Sequence, residues 1–168
     1  LPEVLRTPTG KIELAPEVVV ADVTDRLLPS LLDRRADGLV LVGRRDLRSN
    51  NSWMHNLESL VKGKARCTLQ VPPDDAVRLG LHDGERARVR SRVGVLEVPV
   101  EVTDGIMAGV VSIPHGWGHS GPGAAMGVAS RYAGVNSNVL TDGVIDPLSG
   151  NAVLNGIPVV VEALVPAG

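Results

Sequence analysis

The run Gly38-Leu39-Val40-Leu41-Val42-Gly43 decides the fold, because it is short, continuously apolar and bounded by glycines. A run of this kind is typical of a strand that is buried on both faces. It leads directly into a polar stretch without periodicity, residues 44–56. The chain therefore places a rigid, buried strand at the base of a long polar loop, an arrangement that favours function in the loop.

Further strands are predicted outward from this one by apolar runs or by alternation of apolar and polar residues. The predicted strands are residues 38–43, 67–71, 87–90, 95–102, 109–113 and 158–164. Short helices are expected at residues 57–61 and from Asp74 or Asp75, as the N-cap, to Gly80. Pro99 should place its strand at a sheet edge or bulge. We therefore predict a mainly β protein, a small barrel with its long loops gathered at one end.

The first 37 residues differ from the rest of the chain. Pro2, Pro8, Pro16 and Pro29 interrupt them, so we expect neither a long helix nor a central strand there. The sequence predicts a linker or edge segment from a preceding domain over 1–37, with a disordered tail as the alternative. Residues 38–168 would then form the barrel domain.

Composition excludes several classes of protein. The chain has 168 residues, 2% aromatic residues and a net charge of −2, without the basic stripe that a nucleic-acid polymer requires. The single cysteine, Cys67, excludes an internal disulfide and a multi-cysteine metal site. No apolar stretch approaches the ~20 residues that span a bilayer, so membrane insertion is not expected. Because the chain begins at Leu1 without Met, we expect it to be a fragment of a longer protein.

Three polar segments are candidate binding loops. The first, 43–56, offers arginines for phosphate, and hydroxyl and amide groups for a heterocycle edge. The second, His115-Gly116-Trp117-Gly118-His119, has two histidines four residues apart, but the glycines argue against the helix that a zinc pair needs. A flat ligand-binding wall or a structural turn are the alternatives. In the third, 134–142, Asn136 and Asn138 favour either heterocycle recognition or Asx-turns.

No self-sufficient catalytic set is present in the sequence. A nucleophile elbow, a phosphate loop and a dinucleotide-binding glycine motif are all lacking. The residues therefore favour a binding module over an enzyme with its own active site, and no catalytic or metal-ligating residue is predicted.

Taken in order, the three segments resemble the molybdopterin dinucleotide-binding domain that closes the catalytic subunit in the dimethyl sulfoxide reductase superfamily. This superfamily includes formate dehydrogenases and nitrate reductases. The stretches that carry the resemblance are 44–56, 113–118 and 136–141, with Asp146-Pro147-Leu148-Ser149-Gly150 after them and 7–14 upstream. The resemblance extends from about residue 5 to about residue 164.

The resemblance implies a double-psi β-barrel and a cofactor of two guanine dinucleotide pyranopterins on one molybdenum or tungsten. It assigns cofactor contacts to Gly43, Arg44, Asn50, Asn51, Ser52, His55, His115 and Asn138. Arg45, Arg48 and Trp53 are further candidate contacts with the cofactor. Solvent or a neighbouring domain is the alternative partner for these three side chains. Asn155 and Gly156 stand where the family often has a cation, so that contact is in doubt.

The resemblance also implies a two-electron oxidoreductase, formate dehydrogenase-like, of which this domain alone is not catalytic. Its partners would be electron-transfer subunits and the remaining domains of its own subunit, in the bacterial cytoplasm. Two alternatives are stand-alone relatives of the barrel. An interaction module like the N-terminal domain of a chaperone ATPase would need no cofactor, whereas a pyruvoyl decarboxylase would need a Gly-Ser pair, which this chain lacks. In a third, structural alternative the loops form interdomain contacts only.

Overall fold

A computed structural model describes residues 2–32 and 38–164 of the chain. It divides into two compact units, residues 1–36 and residues 37–168. No helix in the described ranges is long and apolar enough to cross a membrane.

The first unit is more helical than its prolines predict. A 3-10 turn at Pro2–Val4 is followed by α1 (Glu17–Asp22), a π-helical turn (Val23–Leu27) and α2 (Leu28–Leu32). The expectation that residues 1–37 contain no long helix is therefore wrong for residues 17–32. Pro16 precedes the first turn, where a backbone donor is dispensable, and Pro29 follows the π-helical turn, where the helix departs from regular α geometry. The predicted domain boundary near residue 37 stays a prediction.

The second unit is a closed barrel of six strands, which confirms the predicted mainly β barrel. The strands follow one another around the barrel in the order β1-β5-β2-β4-β3-β6. Two neighbouring pairs, β1 with β5 and β2 with β4, are parallel, and the other pairs are antiparallel. The double-psi crossing stays a prediction. The bounds are β1 Leu39–Arg44, β2 Leu69–Val71, β3 Arg86–Arg90, β4 Val95–Val102, β5 Val110–Pro114 and β6 Ile157–Ala163.

The barrel interior is filled by aliphatic side chains from alternate positions of every strand. This follows from the period of two, which sends successive side chains to opposite faces. Val and Leu suit such a pleated surface, so the near absence of aromatic residues does not prevent a packed core. The inward-facing core residues are Leu39, Leu41, Leu69, Val71, Ala87, Val89, Leu96, Val98, Val100, Val111, Ile113, Val159 and Val161.

Two short helices flank the strands, α3 (Glu58–Val61) and α4 (Pro73–Leu79). The expectation that Asp74 or Asp75 caps α4 is wrong, because the N-cap is Pro72, two residues before Asp74, and Pro73 is the first residue of the helix. Proline suits this position because its missing N–H needs no partner there. Gly80 ends α4 in the left-handed conformation with φ 64°.

Pro99 lies inside β4, in a barrel that has no free edge. The strand pairs with β3 through Val95–Pro99 and with β2 only from Val100 onward. Pro99 therefore stands where the strand passes from one neighbour to the other. The absent donor costs little at this point, so the predicted bulge or edge is not needed.

Strand register brings the functional loops to one end of the barrel. Because β1 and β5 are parallel and Arg44 pairs with Pro114, the loops that follow them leave the barrel side by side. Strand β6 runs antiparallel to β1, with Ile157 opposite Leu41. The segment before Ile157 therefore reaches the same end, where the Gly156 N–H donates to the Leu41 carbonyl over 2.9 Å.

Candidate functional site

The predicted binding loops meet above the ends of β1 and β5. The loop after β1 packs against the loop after β5 at Gly116, where an added Cβ would lie 2.1 Å from the Asn51 carbonyl oxygen. The loop after β5 in turn packs against the third segment at Gly118, where an added Cβ would lie 2.6 Å from the Asn136 Cβ. Both glycines have positive φ and allow the backbones to approach closely.

A first cavity of about 380 Å³ opens between these loops. It is deep enough to reach the barrel residues Leu41 and Ile113, and its rim is polar. This combination of an apolar floor with a few convergent polar groups is typical of small-molecule sites. The cavity is lined by Leu41, Gly43, Arg45, Ile113, His115, Ser137, Asn138, Thr141, Leu154, Asn155 and Ile157.

A second cavity of about 540 Å³ adjoins the first, since Arg45 and His115 line both. It lies over the loop after β1 and includes Asn50 and Asn51, whose φ values of 42° and 61° are left-handed. Asparagine tolerates this conformation better than most residues. The lining is Arg45, Asp46, Leu47, Ser49, Asn50, Asn51, Met54 and His115.

A hydrogen-bonded bridge separates the two cavities. The Asn51 Oδ1 accepts from Arg45 Nη1 over 2.7 Å and lies 2.8 Å from His115 Nε2. Because this oxygen can only accept, His115 must carry its proton on Nε2. The bridge gives Arg45 a neutral partner, so the site contains a guanidinium charge that no carboxylate neutralises through a hydrogen bond in the described ranges.

Two further amides, those of Asn155 and Asn138, line the first cavity. The Gly43 N–H donates to Asn155 Oδ1 over 2.8 Å, which fixes Asn155 against the end of β1. Asn136 accepts from the Asn138 N–H over 3.0 Å, so the Asx-turn alternative holds for Asn136. Within residues 2–32 and 38–164, no hydrogen bond engages the side-chain amide of Asn138. That amide is exposed and offers both a donor and an acceptor to a ligand.

Arg44 does not face either cavity. Its guanidinium donates to the Ser112 carbonyl over 2.6 Å and to Thr68 Oγ1 over 2.8 Å, and Thr68 in turn donates to Glu101. Burial lowers the pKa of Arg44, an effect that the nearby Glu101 carboxylate partly offsets. The side chain therefore ties β1 to its neighbours, and the expected phosphate contact of Arg44 has no support from this arrangement.

His55 is likewise turned away from the cavities, with only 1% of its surface exposed. Its Nε2 lies 2.7 Å from Ser49 Oγ, and its Nδ1 lies 2.7 Å from His119 Nε2. Trp117 packs on the imidazole with ring centroids 4.0 Å apart. Both ring nitrogens are engaged by protein groups, so this geometry does not support the cofactor contact expected of His55.

The structure thus brings five of the eight predicted residues to the cavities and places three elsewhere. Gly43, His115 and Asn138 line the first cavity, and Asn50, Asn51 and His115 line the second. Arg44 packs on the outer wall of the barrel and His55 is buried beneath the loops. Ser52 lines neither cavity, and its carbonyl accepts from the His55 N–H.

Two further cavity residues were not among the eight predicted contacts. Arg45, for which solvent or a neighbouring domain was the alternative, lines both cavities. Asn155 was treated as a departure from the family pattern, yet it is hydrogen bonded to Gly43 at the first cavity. No local sequence signal reveals this contact, because it depends on the antiparallel pairing of β6 with β1, which begins beside Leu41.

The paired histidines of the second loop do not converge. His115 faces Asn51, whereas His119 faces His55. In the described ranges, no group of three or more His, Cys, Asp or Glu side chains could hold a metal ion.

Comparison with known proteins gives the site a context. The sequence profile of a protein family, the Molydopterin dinucleotide binding domain, matches residues 39–158. A tetrathionate reductase chain from Salmonella typhimurium is 33% identical over 110 residues, which are 55% of this chain and 11% of that protein. ArrA, the molybdopterin-containing component of the arsenate respiratory reductase from Chrysiogenes arsenatis, is 28% identical over 132 residues, 76% of this chain and 15% of that protein.

A solved structure shows the same fold. Acetylene hydratase from Pelobacter acetylenicus superposes with a TM-score of 0.69 and 24% sequence identity, covering 94% of this chain and 24% of that chain. The chain therefore spans only a small part of the length of the proteins that it matches.

Proposed function

The chain belongs to the family of molybdopterin dinucleotide-binding domains, and from that premise we propose that it holds the pterin and pyrophosphate of a bis(molybdopterin guanine dinucleotide) cofactor. The chain would do so as the C-terminal domain of a larger two-electron oxidoreductase with molybdenum or tungsten. The double-psi form of the barrel belongs to the same proposal.

Arg45 carries the proposal most directly. It lines both cavities, is exposed, and has the neutral Asn51 as its hydrogen-bond partner. A guanidinium without a carboxylate partner is well suited to pair with a phosphate. We therefore assign the pyrophosphate contact to Arg45, and we assign to Arg44 the support of the strand that presents it.

The donor set of the first cavity fits a pterin edge. Such an edge presents alternating donors and acceptors, which an amide can match on one side chain. Asn138 offers its amide to the cavity, and His115 offers the ring that Asn51 holds in place. Gly43 adds no side chain to the lining of this cavity, and its N–H donates to the Asn155 Oδ1 over 2.8 Å.

The second cavity fits the remaining anionic part of the ligand. Asn50 and Asn51 turn the backbone there into the left-handed region, and such turns direct successive N–H groups toward an anion. Ser52 and His55 are assigned to the support of this loop.

The bound group would supply the redox chemistry at its metal, which protein side chains cannot provide. The contribution of this chain would be to orient the cofactor and to balance its charge. The domain alone would not be catalytic. We propose electron-transfer subunits and the other domains of its own subunit as partners, and the bacterial cytoplasm as location.

The test is the content of molybdenum, tungsten and guanine nucleotide in the full-length protein purified from its native host. About two guanine nucleotides per metal are expected from two dinucleotides on one metal. A soluble, folded protein with neither metal nor nucleotide would contradict the proposal and favour the interaction module.

Arg45→Gln sharpens this test, with Arg48→Gln as its matched control. Both arginines are exposed and lie on the same loop, but Arg48 lines neither cavity. Loss of a charge-assisted contact worth about 1.5–3 kcal/mol should weaken cofactor retention by roughly 10- to 150-fold in Arg45→Gln. Equal retention in the two variants would refute the assignment of Arg45.

A further inference from the structure

A buried hydrogen-bonded chain, Ser49–His55–His119, lies directly beneath the two cofactor loops. The three side chains are 3%, 1% and 8% exposed. Contacts of 2.7 Å join Ser49 Oγ to His55 Nε2, and His55 Nδ1 to His119 Nε2. The two rings meet edge to face, with centroids 5.0 Å apart.

These hydrogen bonds connect the loop after β1 to the loop after β5. Asn51 lies between Ser49 and His55 in the sequence, and His119 follows His115 by four residues. The residues that face the cavities, Asn51 and His115, therefore share their loops with residues that are joined underneath. Trp117, 8% exposed, covers the His55 ring and adds a second contact between the loops. We call the contacts among Ser49, His55 and His119 the junction; it ties together the two loops that present Asn51 and His115.

The contacts set a limit on the number of protons that the hydrogen-bonded side chains of Ser49, His55 and His119 can hold. With both rings neutral, the Ser49 hydroxyl either donates to His55 Nε2 or accepts from it, and in both tautomers one hydrogen lies between His55 Nδ1 and His119 Nε2. One added proton keeps both contacts but leaves a buried positive charge. A second added proton places a hydrogen on both facing nitrogens, and a 2.7 Å contact between two donors cannot persist. Protonation of both rings must therefore break the junction.

We propose that His55 and His119 are positioning residues, which join the two cofactor loops while both rings are neutral and release them when the pair is protonated. The proposal rests on the proposed function for the meaning of the loops, although the junction itself does not depend on a cofactor. The order of the binding site is then coupled to pH.

Charges around the pair support this direction. Burial lowers the pKa of His55, the charge of His119 lowers it further, and Asp46 acts in the opposite sense, as does the Gly116 backbone. Burial also lowers the pKa of His119. The remaining groups in contact with the pair, Ser49 and Trp117, are neutral. The junction is therefore neutral near pH 7.

The sign of the pH effect follows from linkage. When the loops separate, each histidine regains a pKa of about 6.5, so the separated state binds more protons than the joined state below that pH. The junction contributes its full stabilisation above about pH 6.5 and loses it as the pH falls. At about pH 5.5, one unit lower, separation should become roughly tenfold more frequent for each histidine that titrates.

The experiment is amide hydrogen exchange of the full-length protein at about pH 7.5 and pH 5.5, corrected for the intrinsic pH dependence of exchange. Peptides from residues 45–56 and 115–120 should lose about tenfold or more of their protection at the lower pH, where tenfold is the effect of one titrating histidine. Peptides from strands β2 and β4 should keep their protection. Unchanged protection of both loop peptides in the wild-type protein would overturn the proposal, and this outcome needs no variant.

His119→Gln tests whether the histidine pair is the cause. Glutamine can accept or donate a hydrogen bond but does not titrate in this range, so the change in loop protection with pH should shrink. His82→Gln is the control, since His82 is exposed and lies outside both loops. Undiminished pH dependence in His119→Gln would contradict the proposal. Metal and nucleotide are measured on the same samples, so absence of cofactor with a working junction would refute only the proposed function.

Discussion

Gly116 offers a sharp test of the contact between the first two loops, through the substitution Gly116→Ala. The added Cβ would lie 2.1 Å from the Asn51 carbonyl oxygen and 2.5 Å from the carbonyl carbon. An ordinary contact begins near 3.4 Å, so the Asn51 backbone would have to retreat by more than 1 Å. Both neighbouring atoms belong to the backbone, so no side chain can rotate away to make room.

The cost has two parts. Alanine at φ 88° occupies a left-handed backbone conformation, which costs about 1–2 kcal/mol. Overpacking against a fixed backbone costs about 1–3 kcal/mol more. We therefore expect a loss of about 2–5 kcal/mol in the free energy of unfolding. Displacement of Asn51 should also break its bridge between Arg45 and His115.

Urea denaturation of the 168-residue chain, followed by tryptophan fluorescence, measures this loss. Trp117 is buried beside the altered residue, whereas Trp53 is 83% exposed, so the change in signal reports mainly on the loop contact. The matched control is Gly127→Ala, where an added Cβ meets nothing within 4 Å and φ is not left-handed. Equal midpoints for Gly116→Ala and Gly127→Ala would refute the close packing of the two loops.

Two other regions of the barrel give predictions of the same kind. Asp75 is buried and accepts from the Gly109 N–H over 2.7 Å and from Arg78 over 2.6 Å. Asp75→Asn should therefore lower the free energy of unfolding, measured by urea denaturation, by about 1–3 kcal/mol. Asp74 is exposed, so Asp74→Asn should change that free energy very little. Burial alone would raise the pKa of Asp75, but these hydrogen bonds outweigh it and lower the pKa, so wild-type stability should fall as the pH drops below about 4, and Asp75→Asn should flatten that slope. Arg44→Lys should destabilise the barrel by about 1–3 kcal/mol, because one ammonium cannot reach the acceptors that the guanidinium spans; a midpoint equal to that of Arg48→Lys would count against this role.

The strands could be predicted from the sequence because each carries its own signal. Leu96, Val98, Val100 and Val102 recur at every second position, and Leu39–Val42 is continuously apolar between glycines. The resemblance to molybdopterin dinucleotide-binding domains is confirmed by the family match over residues 39–158. Strand neighbours could not be predicted from such local signals. The parallel pairing of β1 with β5 joins residues about 70 positions apart, and no short-range pattern encodes it.

The candidate site was predictable in its residue types but not in the direction of each side chain. His55 has the composition of a ligand-binding residue, and only its contact with His119, 64 positions away, shows that it is buried. The place of Asn138 at the first cavity agrees with its position in a polar segment, because an exposed amide needs no distant partner; its contact with a cofactor stays a prediction. Asn155 could not be predicted, because its role depends on the antiparallel pairing of β6 with β1.

Arg44 and Arg45 are adjacent residues of the same type, and under the proposed function the first supports the barrel and the second binds the ligand. At the end of β1 the pleat still alternates, so Arg44 joins the outer wall of the barrel, and Arg45 is the first residue released toward the loops. Arg44 needs the fork of the guanidinium to reach three acceptors on other strands or their flanks, whereas Arg45 needs mainly its charge. It follows that Lys should be tolerated at 45 better than at 44. Under the proposed function, Arg45, which lies just beyond the last strand pair, is free to bind a ligand because its guanidinium is not committed to the barrel.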